Sequence, residues 1–462
     1  MGRASELHAP STGRSHDIAV AQLRASYAAV PPGRPIRLAK PTTNLFRPRT
    51  ATGAAGLDVR GLGGVLSVDP AARTADVQGM CTYERLVDAT LPHGLMPLVV
   101  PQLKSITLGG AVTGLGVEST SFRHGMPHES VLEVDVFTGG GEVVTARPEG
   151  EHADLFAALP NSQGSLGYAI RLKIELQPIA ARVALRIVPY TDLDALIAAV
   201  EDVTATGMWD GRTVDAMDGV LFGANDARLV LATFTDEPGA TSDYTGQAVY
   251  YRALYERRSD LLTAYDYLWR WDTDWFWVSR ALGVQRPAIR RLWPARYRRS
   301  DVYHRLFRLE QRYGVAARLD RWRGRPDSER VVQDVELPTG RTAEFLRWFV
   351  ERVPLLPVWL CPLRPRERVW PLYPLRPGQT YVNVGFWGTV PIATGARDGD
   401  VNRAVEQVVA ELDGHKTLYS DAYYDRETFD RLYGGAAYHA AKQRYDPDGR
   451  LTGLYEKVVE RR

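Results

Sequence analysis

Short runs in which apolar and polar residues alternate mark the chain from Pro35 to about Pro178. Residues 64–68 (GVLSV), 74–78 (TADVQ) and 132–137 (LEVDVF) read as strands, the last closed by a turn at 138–141 (TGGG). Helical spacing sits between them, in 82–90, opened by Thr82 as N-cap, and in 152–158. A short amphipathic helix is predicted upstream over 18–28. A second unit opens at 181–187 (ARVALRI). It continues into a long helical, aromatic and arginine-rich stretch from about Tyr250 to Arg323, returns to strands at 358–361 and 381–386, and ends in helices from Arg403. Strands mixed with helices in this way predict an α+β fold.

At 462 residues the chain exceeds one ordinary core, so two or more domains are expected. A formal net charge of +2 provides no global field for nucleic acid, and no nucleic-acid partner is expected. The two cysteines, Cys81 and Cys361, form no CxxC, which speaks against a disulfide framework or a zinc cluster; no metal site is expected. The first 17 residues are small and polar, without the apolar core of a signal peptide, and read as a mobile tail. No apolar run is long enough to span a bilayer. A cytoplasmic location follows as an expectation.

The candidate chemistry centres on 101–125 (PQLKSITLGGAVTGLGVESTSFRHG). Gly109, Gly110, Gly114 and Gly116 fall within eight residues, flanked by serine and threonine. Backbone N–H groups of such a segment can approach a pyrophosphate without Cβ interference. A tight hairpin or a buried close approach explains the glycines equally well. Neither GxGxxG after a strand nor GxxxxGK[ST] is present, which argues against a Rossmann site or a P-loop.

Several motifs in order lead further. Residues 38–47 (LAKPTTNLFR), 56–70 (GLDVRGLGGVLSVDP), 74–86, 107–116 and 154–167 (DLFAALPNSQGSLG), followed by Ile170, resemble the FAD-binding domain of the vanillyl-alcohol-oxidase/p-cresol-methylhydroxylase (PCMH) superfamily. The resemblance implies a two-subdomain PCMH-type FAD domain over 18–178. It also implies a substrate or cap domain with an antiparallel sheet and helices over 179–415, and a C-terminal segment, 416–462, packing back on the FAD domain. The implied cofactor contacts are Thr42, Thr43, Asn44, Pro101, Thr107, Leu108, Gly109, Gly110, Gly114, Gly116, Ser119, Ser121, Gly164, Gly167 and Ile170. The 38–47 loop lacks the usual glycines of its counterparts, and it carries no histidine or cysteine to tether the flavin. His124 follows the second loop and reads equally as a packing histidine. Non-covalent FAD is expected.

Beyond the cofactor domain, 114–121 (GLGVESTS), 331–334 (VVQD), 359–362 (WLCP), 381–388 (YVNVGFWG) and 415–439 resemble segments of the sterol side-chain (Δ24) reductases. The chain also resembles bacterial FAD-dependent reductases of 10-methylene fatty acyl chains. Both resemblances imply NADPH or NADH as electron donor and an isolated C=C bond as acceptor. An unactivated methylene requires a proton at its terminal carbon and hydride from reduced flavin at the carbon left electron-poor, in an apolar, water-excluded slot. Candidate acids are Glu118, Tyr381, Asp421 and His439. Glu118 reads equally as a carboxylate bound to backbone or ribose. Tyr381 has the alternative of a core tyrosine, Asp421 of a helix cap or ion pair, and His439 of a packing histidine.

Residues 265–277 (YDYLWRWDTDWFW) read either as core packing or as an acyl-chain tunnel wall. Between Arg280 and Arg325 fourteen arginines face three acids. That run reads as a solvated face or as a contact for anionic lipid headgroups, which would make the protein peripheral on the inner face of the membrane. A lipid or phospholipid acyl substrate and a lipid methyltransferase partner follow from the resemblance. Three alternatives stand beside it: a Δ24-sterol-reductase-like enzyme, an FAD-dependent oxidase or dehydrogenase of a sugar, alditol or lactone, and a non-catalytic subunit assisting a lipid methyltransferase.

Overall fold

The computed structural model describes residues 13–40, 46, 53–313 and 327–462. Two sheets organise them. The first has the order Val65–Asp69, Thr74–Gln78, Tyr168–Pro178, Val131–Phe137, Val143–Ala146, with Leu95–Pro97 also paired to Tyr168–Pro178. All its pairings are antiparallel. Beside it, Ile36–Leu38 and Ala55–Leu57 form a small parallel pair. The helix Tyr83–Thr90 begins where Thr82 caps it, the threonine oxygen accepting from the Arg85 N–H at 3.4 Å.

After Tyr168–Pro178 the chain passes into the second sheet. Its eight strands run Ser259–Thr263, Arg182–Tyr190, Asp226–Thr235, Ala216–Gly223, Val358–Leu363, Tyr381–Pro391, Ser328–Pro338, His415–Lys416, all antiparallel. Side chains alternate between the two faces. Val331, Val335 and Leu337, with Val382, Val384 and Phe386, join one core, to which the helices Leu193–Thr206, Thr339–Arg352 and Asp400–Glu411 contribute. Asp334 and Trp387 come from these same two strands and Trp359 from the adjoining strand Val358–Leu363, and all three border the cleft between the two sheets.

Of the C-terminal helices Arg426–Leu432, Gly435–Tyr445 and Leu454–Val458, the second packs on Ala153–Ala158 of the first unit, and Lys457 of the third donates to the Gln163 carbonyl at 3.1 Å. Lys442 Nζ donates to the Ser165 carbonyl at 2.8 Å, and the Ile36 N–H to the Arg450 carbonyl at 2.9 Å.

The structure differs from the sequence expectations in three places. The first helix spans Gly13–Ala28, so it starts inside the segment read as a tail. Residues 108–114, read as a loop, form a short helix, Leu108–Gly114, capped by the Thr107 hydroxyl, which accepts from the Gly110 N–H at 3.2 Å. The long helical stretch from Tyr250 is broken. It contains the edge strand Ser259–Thr263, then the short pieces Ala264–Leu268, Val278–Leu282 and Pro287–Leu292, before a true helix at Ser300–Tyr313. Pro287, Pro294 and the left-handed turn at Gly283 punctuate it. Among the described residues no helix is long and apolar enough to cross a membrane.

Candidate functional site

A cleft of about 750 Å³ opens where the glycine-rich segment of the first unit faces the inner surface of the second sheet. That volume lies in the range of small-molecule and cofactor sites. Its two ends differ in chemistry.

At the first end the wall is largely backbone. Gly109 donates its N–H to the Gly79 carbonyl at 2.9 Å, and Gly79 donates to the Ile170 carbonyl at 2.8 Å. A Cβ on Gly109 would stand 2.8 Å from the Gly79 oxygen and 3.0 Å from the Ala169 oxygen. Only glycine lets the start of this helix approach the strand so closely. Basic side chains dominate the charged lining of the cleft. Arg37, Lys40, Arg308, Lys457 and Arg462 border the cleft, whereas Asp334 is the one carboxylic acid among its described lining residues. Lys40 Nζ lies 3.9 Å from where a Cβ on Gly110 would stand, which puts a cation at the glycine backbone, and a charged lining that is basic but for one acid suits an anionic pyrophosphate, so the residues fit a flavin dinucleotide.

At the other end the wall is aromatic: Phe46, Trp275, Phe276, Trp359, Trp387 and Tyr419. Phe46 stacks on Trp275 with centroids 5.3 Å apart, and Phe276 meets Trp387 at 4.5 Å. Trp275 and Phe276 have φ of 45° and 58°. Bulky side chains seldom adopt this left-handed backbone, so the turn is held under local strain by the packing around it.

Asp334 sits at the aromatic end. The Trp387 indole N–H donates to the Tyr419 hydroxyl at 2.8 Å, and Tyr419 is hydrogen-bonded to Asp334. Asn383 Nδ2 donates to Asp334 Oδ1 at 3.4 Å. Burial pushes the Asp334 carboxyl up to about 7, with Asn383 and Tyr419 pulling it the other way. Burial also drives Tyr419 well above its ordinary value, so it keeps its proton. Room for this group comes from Gly385, the cross-strand partner of Asp334, because a Cβ there would lie 2.7 Å from the Trp387 ring.

Of the residues singled out in the sequence, Pro101, Thr107, Gly109, Gly110, Gly114, Gly116, Gly164 and Gly167 border the cleft. Thr42, Thr43 and Asn44 lie outside the described residues. Leu108 and Ile170 sit in the core and do not border the cleft. Ser119 bonds its hydroxyl to the Tyr267 hydroxyl at 2.9 Å, and Ser121 Oγ accepts from the Glu118 N–H at 3.0 Å. Neither serine borders the cleft, and neither do the partners of their hydroxyls.

The four acid candidates are not brought together, and none borders the cleft. Glu118 is buried and ion-paired to Arg270 at 2.8 Å, with Arg270 also pairing to Asp218 at 2.8 Å. Burial raises the Glu118 carboxyl and Arg270 pulls it back. The Tyr381 hydroxyl accepts from the Arg376 N–H at 3.1 Å and contacts the Gln379 side chain. Asp421 pairs with Arg330 at 3.0 Å, and His439 is exposed beside Asp430. The aromatic stretch 265–277 is largely buried, and only Trp275 and Phe276 of it reach the cleft.

Asp334, Tyr419 and Trp387 were not singled out from the sequence, although each lies inside a segment quoted for the reductase resemblance. The alternation along 331–338 was the local signal: Val331, Val335 and Leu337 mark one face as core, leaving a polar Asp334 facing the other way.

Comparison with known proteins agrees with this geometry. Residues 20–147 match the family model described as an FAD binding domain. Over 440 residues the chain is 24% identical to Delta(24)-sterol reductase of Arabidopsis thaliana, covering 85% of this chain and 74% of that protein. Against the Homo sapiens Delta(24)-sterol reductase the identity is 23% over 420 residues, covering 86% and 76%. Cytokinin dehydrogenase 2 of Oryza sativa subsp. japonica is 34% identical over 140 residues, 30% of this chain and 25% of that protein. With a glycine-walled, cation-rich cleft and an FAD-binding domain of the PCMH type, the chain is an FAD-dependent oxidoreductase.

Proposed function

We propose that the protein reduces an isolated carbon–carbon double bond in an apolar lipid, with NAD(P)H as the electron source and FAD held non-covalently. The observation that carries this reading is the acid placed among aromatics: Asp334, bonded to Tyr419, in a cleft wall otherwise built of tryptophan and phenylalanine. A sugar oxidase needs polar groups converging on its substrate, and the aromatic end offers few.

Bound FAD, once reduced, supplies a hydride. The protein supplies the rest. Asp334 holds a proton near neutrality and gives it to one alkene carbon, leaving as the carboxylate, while Tyr419 donates a hydrogen bond that stabilises the charge so formed. The other alkene carbon takes the hydride, so one H⁺ and one H⁻ add across the bond and Asp334 regains its proton from water. The aromatic wall excludes water and stabilises positive character on the reacting carbon. Lys40, Lys457 and the glycine backbone would hold the pyrophosphate. No histidine or cysteine borders the cleft among the described residues, which supports a non-covalent cofactor.

The substrate we favour is a phospholipid carrying a 10-methylene acyl chain, since a slender chain suits the cleft and a headgroup would meet the cationic residues at its edge. A second reading, a Δ24 sterol side chain, is favoured by the names of relatives aligned over most of the chain. Purified holoprotein given NADPH or NADH and each lipid separately distinguishes the two. Mass spectrometry showing H₂ added to the methylene acyl chain, and not to the sterol, supports the first reading. The reverse result supports the second, and addition to neither contradicts both.

A further inference from the structure

The arginine-rich stretch divides into an inner and an outer set. Arg290 is buried and ion-paired to Asp274 at 2.6 Å, and Arg298 donates to the carbonyls of Gly246 and Trp293 at 2.7 and 2.8 Å. Arg299 pairs with Glu84 at 2.7 Å. These three fasten the segment to the body of the protein. Arg286, Arg291, Arg296 and Arg308 are exposed instead, and have no ion-pair partner among the described residues.

Apolar side chains accompany this outer set. Half of the ten exposed large hydrophobic residues described in the chain lie between Ile289 and Tyr313. Leu292 is 83% exposed and Leu309 52%. A leucine held almost wholly in water between unpaired arginines costs solubility and stabilises nothing in the protein itself. The same stretch adjoins the cleft. Arg308 borders it, Phe307 packs on Trp275 at 5.9 Å, and His304 lies against Trp275 at 5.7 Å. The helix Ser300–Tyr313 is therefore cleft wall on one side and carries Arg305 and Leu309 outward.

We propose that residues 286–313 form a docking surface for an anionic lipid bilayer, with Leu292 and Leu309 entering the interface and Arg291, Arg296 and Arg308 meeting lipid phosphates. Charge complementarity selects this occupant: unpaired cations with protruding aliphatic side chains match an anionic, apolar-cored surface. Docking there brings the cleft edge to the lipid surface. The inference does not depend on which bond the enzyme reduces, because it concerns binding without turnover.

The test is flotation of FAD-loaded protein with vesicles of pure phosphatidylcholine, or of phosphatidylcholine mixed with phosphatidylglycerol. Binding is expected only to the mixed vesicles, weakening as salt rises. The double substitution Arg291→Gln with Arg296→Gln is expected to weaken it about 25-fold, at roughly fivefold per arginine. Leu292→Ser with Leu309→Ser is expected to weaken it about tenfold or more. All four positions are exposed, so the thermal midpoint and flavin spectrum serve as controls that should not move. Equal binding to both vesicle types overturns the proposal, as does full binding by either double variant. Light scattering that shows a dimer dissolved by the leucine pair, with vesicle binding intact, overturns it in favour of a protein interface.

Discussion

Trp387 and Tyr419 meet through an indole N–H to hydroxyl hydrogen bond of 2.8 Å, and the same hydroxyl is bonded to Asp334. Trp387 comes from a central strand of the second sheet and Tyr419 from the segment following its edge strand, so the sheet fixes a tyrosine against a carboxyl within an aromatic wall. Removing the carboxyl by Asp334→Asn should cost about 10²–10⁴ in alkene reduction, the usual worth of a positioned acid. Tyr419→Phe should cost less, because the acid remains. Flavin content and reduction by NAD(P)H should be unchanged in both. Stopped-flow measurement of the two half-reactions checks this, and a variant slowed equally in both would place the defect in flavin binding instead.

The pH dependence has a defined sign. Asp334 must be protonated to act, and its carboxyl is raised to about 7. The alkene half-reaction should therefore fall above pH 7, by about tenfold per unit once the acid is ionised. Stability follows the same proton. A carboxyl raised from an unfolded value near 3.8 contributes stability that is full below about 4 and lost as pH rises through 7. Asp334→Asn cannot ionise, so its thermal midpoint should gain on the wild type as pH rises from about 4 to 7, with no further gain well above 7. On the acid side, burial lowers His124 to about 4 and His128 to about 3. Their contribution is full above 6.5 and lost as pH falls below it. Asp334 acts in the opposite sense over the same range, so the comparison is with a His124→Gln, His128→Gln double variant: a wild type that loses no midpoint relative to that variant from pH 6.5 to 4 would contradict their burial as neutral groups.

Arg270 faces Glu118 and Asp218, both buried, and two tryptophan N–H groups, from Trp271 and Trp359, also donate to Asp218. Removing the cation leaves two carboxylates uncompensated. Arg270→Ala should lower unfolding stability by roughly 3–5 kcal/mol, the usual cost of breaking a buried pair. Glu118→Gln keeps the volume and leaves Arg270 paired to Asp218, so it should cost about 1–2 kcal/mol and retain alkene reduction. Urea unfolding and a turnover assay measure both. Loss of alkene reduction in a folded Glu118→Gln protein would return Glu118 to the role of acid.

Backbone crowding at Gly79 gives a sharper structural prediction. A Cβ there would fall on the Ala169 carbonyl, with Ile170 Cα at 3.1 Å. Gly79→Ala must push Gly79 away from the strand Tyr168–Pro178, and with it the Gly79 carbonyl that holds the Gly109 N–H at the cleft wall. Flavin retention during gel filtration should fall sharply, with a stability loss of about 2–4 kcal/mol. Gly114→Ala is the comparison, because its Cβ would find nothing nearer than 3.6 Å. That variant should fold normally, and any defect should be confined to flavin binding.

Elements with a strong local pattern were legible in the sequence. The strand 74–78 and the cap at Thr82 stand as the alternation and the threonine indicated. The stretch after Tyr250 was not, because Ser259–Thr263 is an edge strand whose identity depends on pairing with Arg182–Tyr190, far back in the chain. The candidate site divides in the same way. Its glycine-rich wall was visible because those glycines are close in sequence. The acid was not, because Asp334 gains its setting from Gly385, Trp387 and Tyr419, which only strand register and the sheet edge bring to it. Glu118 drew attention by its place in the glycine-rich segment, but its environment is set by Arg270, distant in sequence.

Anaerobic reoxidation of the reduced holoprotein tests the central claim most directly. The protein should carry the visible bands of an oxidised flavin and lose them on addition of NAD(P)H. Those bands should then return when lipid bearing a 10-methylene acyl chain is added without oxygen, at a rate that falls above pH 7 and collapses in Asp334→Asn. A reduced flavin that no isolated alkene reoxidises, methylene lipid or Δ24 sterol, but that oxygen reoxidises readily, would contradict the account.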